Sequence, residues 1–285
     1  MIDNMQKNNL FEDVTMRLAE GQIPSPRLEA RLLIANALGI DANELNPFVV
    51  KLDDAQTEKL MQSVQDRLKH KPICKIVGKK AFYKYDFQVD CNVLSPRPDT
   101  EILVEAAIHL GHKNQLNRVL DLGTGSGCIL LSVIAELPNA KGVGVDISDK
   151  ALAVAQTNAE MLGLVSRVEF VRGSWFDDAL GWNNKFDLIV SNPPYIKSED
   201  INKLEPEVKD YDPMLALDGG ADGYRDYKKL AERIPSWLKD GGYVLLEVGI
   251  NQAEDVAHIF QEKGLSLCEI AKDLSGINRC VILKK

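Results

Sequence analysis

A chain of 285 residues exceeds one average domain and falls short of three, so two domains are expected. At 45% hydrophobic and 27% charged it has the composition of an ordinary globular protein able to bury a sizeable core, with no run approaching the roughly 18 apolar residues of a membrane span. The charge is uneven: residues 1–90 hold 13 acidic and 13 basic side chains, so the whole net charge of −8 falls in residues 91–285, where a nucleic-acid-binding domain would instead carry a basic face.

In chain order, the first seventy residues read as helices. Phe11, Val14, Met16, Leu18 and Ile23 form an irregular apolar stripe. Ser25-Pro26 starts a second helix, with Ser at the N-cap and Pro at the first helical position, and its stripe of Leu28, Leu32, Leu33, Ala35 and Leu38 ends near Gly39. A third helix covers about Asp54 to Lys69. From Cys74 to Leu94 the pattern changes to β-type alternation, which predicts a hairpin. From about residue 100 strands and helices alternate: helix Thr100 to Leu110, strand Arg118–Leu122, helix Cys128–Glu136, strand Lys141–Asp146, helix Lys150–Leu162, and strands Arg167–Arg172 and Phe186–Ser191. After a long loop come helix Tyr224–Leu238, strand Tyr243–Val248, helix Asn251–Lys263, and strands Leu265–Ala271 and Arg279–Leu283. This alternation predicts a doubly wound, mostly parallel α/β sheet. The final hairpin predicts an antiparallel last strand at or near the sheet edge.

Two charged stretches stand apart. Arg67, Lys69, Lys71, Lys75, Lys79, Lys80 and Lys84 follow one another with no acid between. They read first as a solvated helix end and hairpin, and otherwise as a docking strip for an acidic partner or RNA. The loop 196–223 carries Glu199, Asp200, Glu205, Glu207, Asp210, Asp212, Asp218 and Asp222 against three lysines. It reads as a rim for a basic partner surface, or as a solvated loop. Cys74, Cys91, Cys128, Cys268 and Cys280 are scattered, odd in number and never paired as C-x-x-C. Their pattern argues against a zinc ribbon or a disulfide framework and suits a reducing, cytoplasmic compartment. Residues 1–6 have neither the basic start nor the apolar stretch of a signal peptide. His109 and His112 fall at a helix end, where a cation meets the helix dipole, so no metal is expected.

Three constellations point to chemistry. Strand Arg118–Leu122 ends in Gly123-Thr124-Gly125-Ser126-Gly127, a turn whose glycines let a ligand approach the backbone. The dinucleotide fingerprint would place its third glycine at position 128, which is Cys. The observed spacing favours S-adenosylmethionine over NAD. Asp146 ends the next strand, 23 residues after Gly123, where a carboxylate can accept both hydroxyls of a ribose. Trp175 follows the third strand and offers a face for an adenine ring, or is plain core. Asn192-Pro193-Pro194-Tyr195 ends the fourth. Its prolines remove two N–H donors and fix a turn presenting two acceptors, the Asn192 side-chain oxygen and the Pro193 carbonyl. Two acceptors suit the two hydrogens of a planar –NH2 group, and Tyr195 supplies a flat face to hold it.

The combination of D-L-G-T-G-S-G, V-D-I-S and S-N-P-P-Y resembles the class I S-adenosylmethionine-dependent methyltransferases that act on planar amino nitrogens. With Ser95-Pro96-Arg97-Pro98-Asp99-Thr100-Glu101, the N-terminal helices and the segment from Tyr211-Asp212-Pro213 to Gly223, the chain resembles the HemK/PrmC family over nearly its whole length. The resemblance implies a Rossmann-like, seven-stranded, mostly parallel sheet with an antiparallel last strand. It implies a helical substrate-recognition domain over 1–72, a β-hairpin linker over 73–98 and a methyltransferase domain over 99–285. The implied reaction moves a methyl group from S-adenosyl-L-methionine to the glutamine amide nitrogen of the Gly-Gly-Gln motif in class I peptide chain release factors, leaving S-adenosyl-L-homocysteine. The implied cofactor residues are Gly123, Thr124, Gly125, Ser126, Gly127, Asp146, Trp175 and Asn192. Asn192, Pro193, Pro194 and Tyr195 are implied to carry catalysis and grip the glutamine. Release factors are the expected partners of a monomer, with no membrane and no direct nucleic-acid substrate. A glutamine methyltransferase acting on a ribosomal protein and a DNA or RNA adenine-N6 methyltransferase are the alternatives. Ser174 departs from the family, which often has an acid there to meet the adenine amino group. Ser95 departs too, standing for a usual Ile.

Overall fold

The computed structural model describes residues 10–174, 182, 183 and 185–285. It divides into two compact units. One runs to Lys79 and also takes in Glu205–Tyr211; the other comprises Lys80–Leu204 and Asp212–Lys285.

The first unit is built on helices α1 (Leu10–Glu20), α2 (Pro26–Leu38), α3 (Asp54–Leu68) and α4 (Ile73–Val77). A reciprocal cap starts α3: the Gln56 N–H donates to Asp53 Oδ1 at 2.8 Å and the Asp53 N–H donates to Gln56 Oε1 at 3.0 Å. Ser25 precedes α2 but adopts a left-handed backbone (φ 52°) and caps nothing with its side chain, so Pro26 sets that boundary. Residues 73–77, expected within the β-hairpin 73–98, form a helical turn closed by Gly78 at φ 77°. Ile73 and Ile76 are three residues apart, a spacing that puts them on one face of a helical turn and on opposite faces of a strand, and both pack on the helical core. That core joins Val14, Leu18, Leu33, Ile34, Leu60 and Val64.

Arg67 enters the same unit as a buried charge, 2% exposed. Its guanidinium bonds Glu29 through Nε and Nη2, Glu207 Oε1 at 2.7 Å, and the Lys71 carbonyl at 3.2 Å. Lys75 is also buried and donates to the Tyr211 carbonyl, and the Tyr211 hydroxyl donates to the Lys69 carbonyl at 2.9 Å. Lys71 pairs with Asp66 and, in the second unit, Lys84 pairs with Glu136. Of the basic run, Arg67 and Lys75 are therefore internal structure, whereas Lys69, Lys79 and Lys84 are exposed.

The second unit opens with the hairpin β1 (Lys79–Phe82) and β2 (Tyr85–Gln88). After α5 (Glu101–Asn114) follow β3 (Arg118–Leu122), α6 (Cys128–Glu136), β4 (Lys141–Asp146), α7 (Asp149–Met161), β5 (Val168–Arg172) and β6 (Phe186–Ser191). Beyond single helical turns at Pro206–Lys209 and Met214–Leu217 come α8 (Arg225–Trp237), β7 (Leu238–Glu247), α9 (Ala253–Gln261), β8 (Ser266–Lys272) and β9 (Asn278–Lys284). The seven-stranded sheet has the order β5-β4-β3-β6-β7-β9-β8. Strands β3 to β7 are parallel, and β9 runs antiparallel to both β7 and β8. The last strand therefore sits second from the edge, and the strand before it is the edge.

Alternation sorts the strands onto two faces. Val119, Leu188, Val190 and Leu245 pack with Leu103, Leu131 and Ala159 of α5 to α7. Leu120, Ile189, Val244 and Leu246 pack with Tyr227, Leu230, Ile234 and Phe260 of α8 and α9. Chain order moves outward from β3 to β5, then restarts at β6 on the other side of β3. The crevice between the carboxyl ends of β3 and β6 is the switch point at which such sheets bind ligands.

Candidate active site

Register places the sequence motifs side by side. Leu122 of β3 pairs with Val145 of β4 and with Ser191 of β6, and Ser191 pairs with Leu246 of β7. One residue further along each strand stand Asp146, Gly123, Asn192 and Glu247, in that order across the sheet. A cavity of about 630 Å³ opens here, within the usual range for small-molecule sites. Its lining includes Gly123, Thr124, Gly125, Ser126, Asp146, Ser174, Asn192 and Pro194, with Arg97 and Thr100 from the proline-rich segment. Gly127, Pro193 and Tyr195 do not line it. Trp175 lies outside the described residues.

The glycine turn is held from below. The N–H groups of Gly123 and Thr124 both donate to the Val145 carbonyl at 2.9 Å. Gly125 and Gly127 have φ of 55° and 78°, the left-handed region that glycine enters without strain. A Cβ added at Gly125 would meet nothing within 4 Å, so the turn is an open cradle. Asn158 of α7, fully buried, donates to the Ser126 carbonyl at 2.8 Å and exchanges bonds with the backbone of Gln88. No spacing rule marks Asn158, because its partners lie 32 and 70 residues away.

Asp146 accepts from the Gly125 N–H and the Ser148 N–H, each at 2.9 Å and each on a different oxygen. A carboxylate has about four acceptor positions, so two remain. Beneath the turn, Asp121 is fully buried. Thr124 Oγ1 donates to its Oδ2 at 2.7 Å, and Oδ1 has no hydrogen-bond partner among the described residues. Burial pushes the Asp121 carboxyl up to about 7; the Thr124 hydroxyl opposes the shift and the Asp146 charge adds to it.

Glu247, which carries no motif, ends β7 and is 2% exposed. Burial pushes its carboxyl up to about 7, against the Thr100 and Asn192 side chains and Arg279, which favour the charged form. Its Oε1 lies 3.5 Å from the Tyr195 hydroxyl, and Oε2 is without a partner. Gln252 fixes the turn after β6, donating to the carbonyls of Tyr195 and Gly223 and accepting from the Gly249 N–H at 3.0 Å.

Asp121 and Glu247 give stability a direction with pH. Each binds its proton more tightly in the folded chain than in the unfolded one. Their contribution to stability is therefore fully present below the ordinary carboxylate range and is lost as pH rises through about 7. The decline is at most about 1.4 kcal/mol per pH unit for each group. Urea unfolding between pH 5 and pH 8 tests this, and a flat or rising profile contradicts it.

Five of the eight acids of the long loop are paired within the described residues, and Glu199, Glu205 and Asp210 are exposed. Asp212 is buried, bonding Arg97 at 2.8 Å and the Ser95 backbone N–H and hydroxyl at 3.3 and 3.2 Å. Ser95 thus serves this pairing. Asp218 pairs with Arg225 and Ser198, Asp222 with Lys228, Asp200 with Lys203, and Glu207 with Arg67. Of the loop residues that line the cavity, the exposed ones are Met214 and Leu215. No helix among the described residues is long and apolar enough to cross a membrane.

Comparison with known proteins agrees with this layout. A family model described as a methyltransferase domain matches residues 113–277, and one described as a PrmC N-terminal domain matches residues 9–78. A release factor glutamine methyltransferase of Rhodospirillum rubrum is 43% identical, over 97% of this chain and 84% of its own length. One from Caulobacter vibrioides is 42% identical, over 93% of this chain and 92% of its own length. Among solved structures, the hMettl16 catalytic domain in complex with MAT2A 3'UTR hairpin 6 matches with a TM-score of 0.53. It is 14% identical, covers 83% of this chain and 84% of that one, and so speaks for the fold alone. The two family models and the relatives, alike over nearly the full length, show that this chain is a methyltransferase and belongs to the release factor glutamine methyltransferase family.

Proposed function

We propose that the chain methylates the side-chain amide nitrogen of the glutamine in the Gly-Gly-Gln motif of class I peptide chain release factors, using S-adenosyl-L-methionine. The observation that carries this reading is the register: the glycine cradle, Asp146 and Asn192 end three neighbouring strands around one cavity. The residues present suit that cofactor. Gly125 leaves space where any side chain would intrude, and Asp146 keeps two acceptor positions for ribose hydroxyls. Gly123 to Gly127, Asp146 and Asn192 are assigned to hold it, with Trp175 assigned to its adenine ring. When bound, the cofactor supplies a methyl group on a positively charged sulfur.

The chain's own residues prepare the nucleophile. An amide nitrogen is a weak nucleophile because its lone pair is delocalised into the carbonyl. Asn192 Oδ1 and the Pro193 carbonyl accept its two hydrogens, which draws electron density toward nitrogen and fixes the plane of attack. Pro193 and Pro194 have no N–H to compete for these acceptors and hold the turn rigid. Tyr195, whose ring packs on the core beside the cavity, is assigned to steady the end of this turn and the glutamine bound to it. Burial pushes the Tyr195 hydroxyl up, so it stays protonated and can donate to Glu247. The rate then comes from positioning and from electrostatics prepared before the reaction.

The test is transfer of labelled methyl from S-adenosylmethionine to a purified class I release factor. A second factor with its Gly-Gly-Gln glutamine changed to alanine is the control. Label on the first alone is expected. Equal label on both, or none on either while the cofactor binds, overturns the proposal.

A further inference from the structure

We propose that Glu247 is the positioning residue of the site: its buried carboxylate selects the orientation of the Asn192 amide and so keeps Asn192 Oδ1 turned to the cavity. This rests on the role assigned above to Asn192.

A side-chain amide has a donor end and an acceptor end of nearly equal shape, and packing alone does not choose between them. Asn192 Nδ2 is directed to Thr100 Oγ1 at 3.5 Å, and Oδ1 makes no hydrogen bond among the described residues. A threonine hydroxyl cannot decide the matter, since it donates and accepts. An ionised carboxylate only accepts. Glu247 and Asn192 each follow by one residue the Ser191–Leu246 pair of the β6–β7 register, and the buried Glu247 Oε2 has no hydrogen-bond partner among the described residues. An acceptor-only group on that side repels the oxygen end of Asn192 and favours its NH2 end, which leaves the oxygen for the substrate. The Tyr195 hydroxyl donates toward Glu247 Oε1, so the same carboxylate also anchors the end of the Asn192–Tyr195 segment. Glu247 does not line the cavity.

The surroundings keep this carboxylate responsive to pH. Arg279 and Cys280 face it from β9, Asp99 and Thr100 from the proline-rich segment, Tyr195 and Asn192 from the turn after β6, Tyr227 from α8 and Cys128 from α6. Arg279 is the cation among them, and it is shared with Asp99 at 3.1 Å and Asp273 at 3.0 Å. Once protonated, Glu247 can donate as well as accept, and its hold on the amide orientation is lost.

The experiment measures methyl transfer by wild type, Glu247→Gln, Glu247→Asp and Asn192→Ala from pH 6 to pH 9, with calorimetric binding of S-adenosylmethionine. Glu247→Gln keeps the shape but offers a donor, so kcat is expected to fall at least about 30-fold, with cofactor affinity within about threefold of wild type. Glu247→Asp, which keeps an acceptor-only group, is expected to recover part of that loss. Wild-type kcat is expected to decline on the acid side, and this limb is expected to vanish in Glu247→Gln, a change that a merely structural role would not produce. A Glu247→Gln enzyme with wild-type kcat, or with the acid limb retained, overturns the inference even if Asn192→Ala is inactive. An active Asn192→Ala enzyme removes the reading beneath it.

Discussion

Asn192→Ala is expected to lower kcat by about 10²–10³-fold, the scale of losing one prepared electrostatic contact to a reacting group. The affinity for S-adenosylmethionine is expected to change little, because the cradle from Gly123 to Gly127 and the Asp146 carboxylate are untouched. Single-turnover methylation with calorimetry on the same sample separates the two quantities. Asn192→Asp makes a sharper comparison. It retains an oxygen acceptor, but it sets a second carboxylate beside Glu247 and removes the NH2 that faces inward. It is expected to be as inactive as Asn192→Ala, since like charges in a buried site suppress each other's ionisation. Activity near wild type in either variant excludes Asn192 from the reaction.

Arg67→Ala is expected to cost about 3–5 kcal/mol, the scale of removing one partner from a buried ion pair. The loss comes less from the missing attraction than from what is left behind. Glu29, largely buried, would keep its charge without a counterion, and Glu207 and the Lys71 carbonyl would lose their donor. Urea unfolding of the full chain, together with hydrogen exchange at Val14, Leu18 and Leu33, reads the effect where it arises. A loss below about 1 kcal/mol would mean that the cluster behaves like an exposed pair. Replacing Arg67, Glu29 and Glu207 together with apolar residues of similar size is expected to return much of the stability, because the desolvation cost disappears with the charges.

These two residues also mark how far the sequence could be read. The glycine turn, Asp146 and the Asn192–Tyr195 segment are legible because each is a local signal: a strand ends and the next few residues have unusual chemistry. The α/β alternation is legible for the same reason, since periodicity is a property of a short window. Glu247 is invisible by that route. It sits in a plain apolar strand and gains meaning only when β7 lies beside β6 in register. Asp212 looks like one more acid in an acidic loop until Arg97 and Ser95, 115 and 117 residues away, are brought to it. Arg67 reads as part of a basic run because nothing local shows that Glu29 and Glu207 will meet it. The position of β9 inside the sheet is hidden for a related reason, since a hairpin signal fixes a pairing but not which strand takes the edge. What was missed is what depends on contacts distant in sequence.

The inclusion of Glu205–Tyr211 in the helical unit has a consequence for synthesis. Glu207 follows Arg67 by 140 residues, which at roughly 5–20 residues per second is about 7–28 s of translation. For that interval the nascent helices hold Arg67 against Glu29 and the Lys71 carbonyl, with Lys75 and the Lys69 carbonyl still lacking Tyr211. The unit that leaves the ribosome first is completed only after β6 and the turn at Asn192 have been made. Its final closure thereby waits until the Asn192–Tyr195 segment has been made.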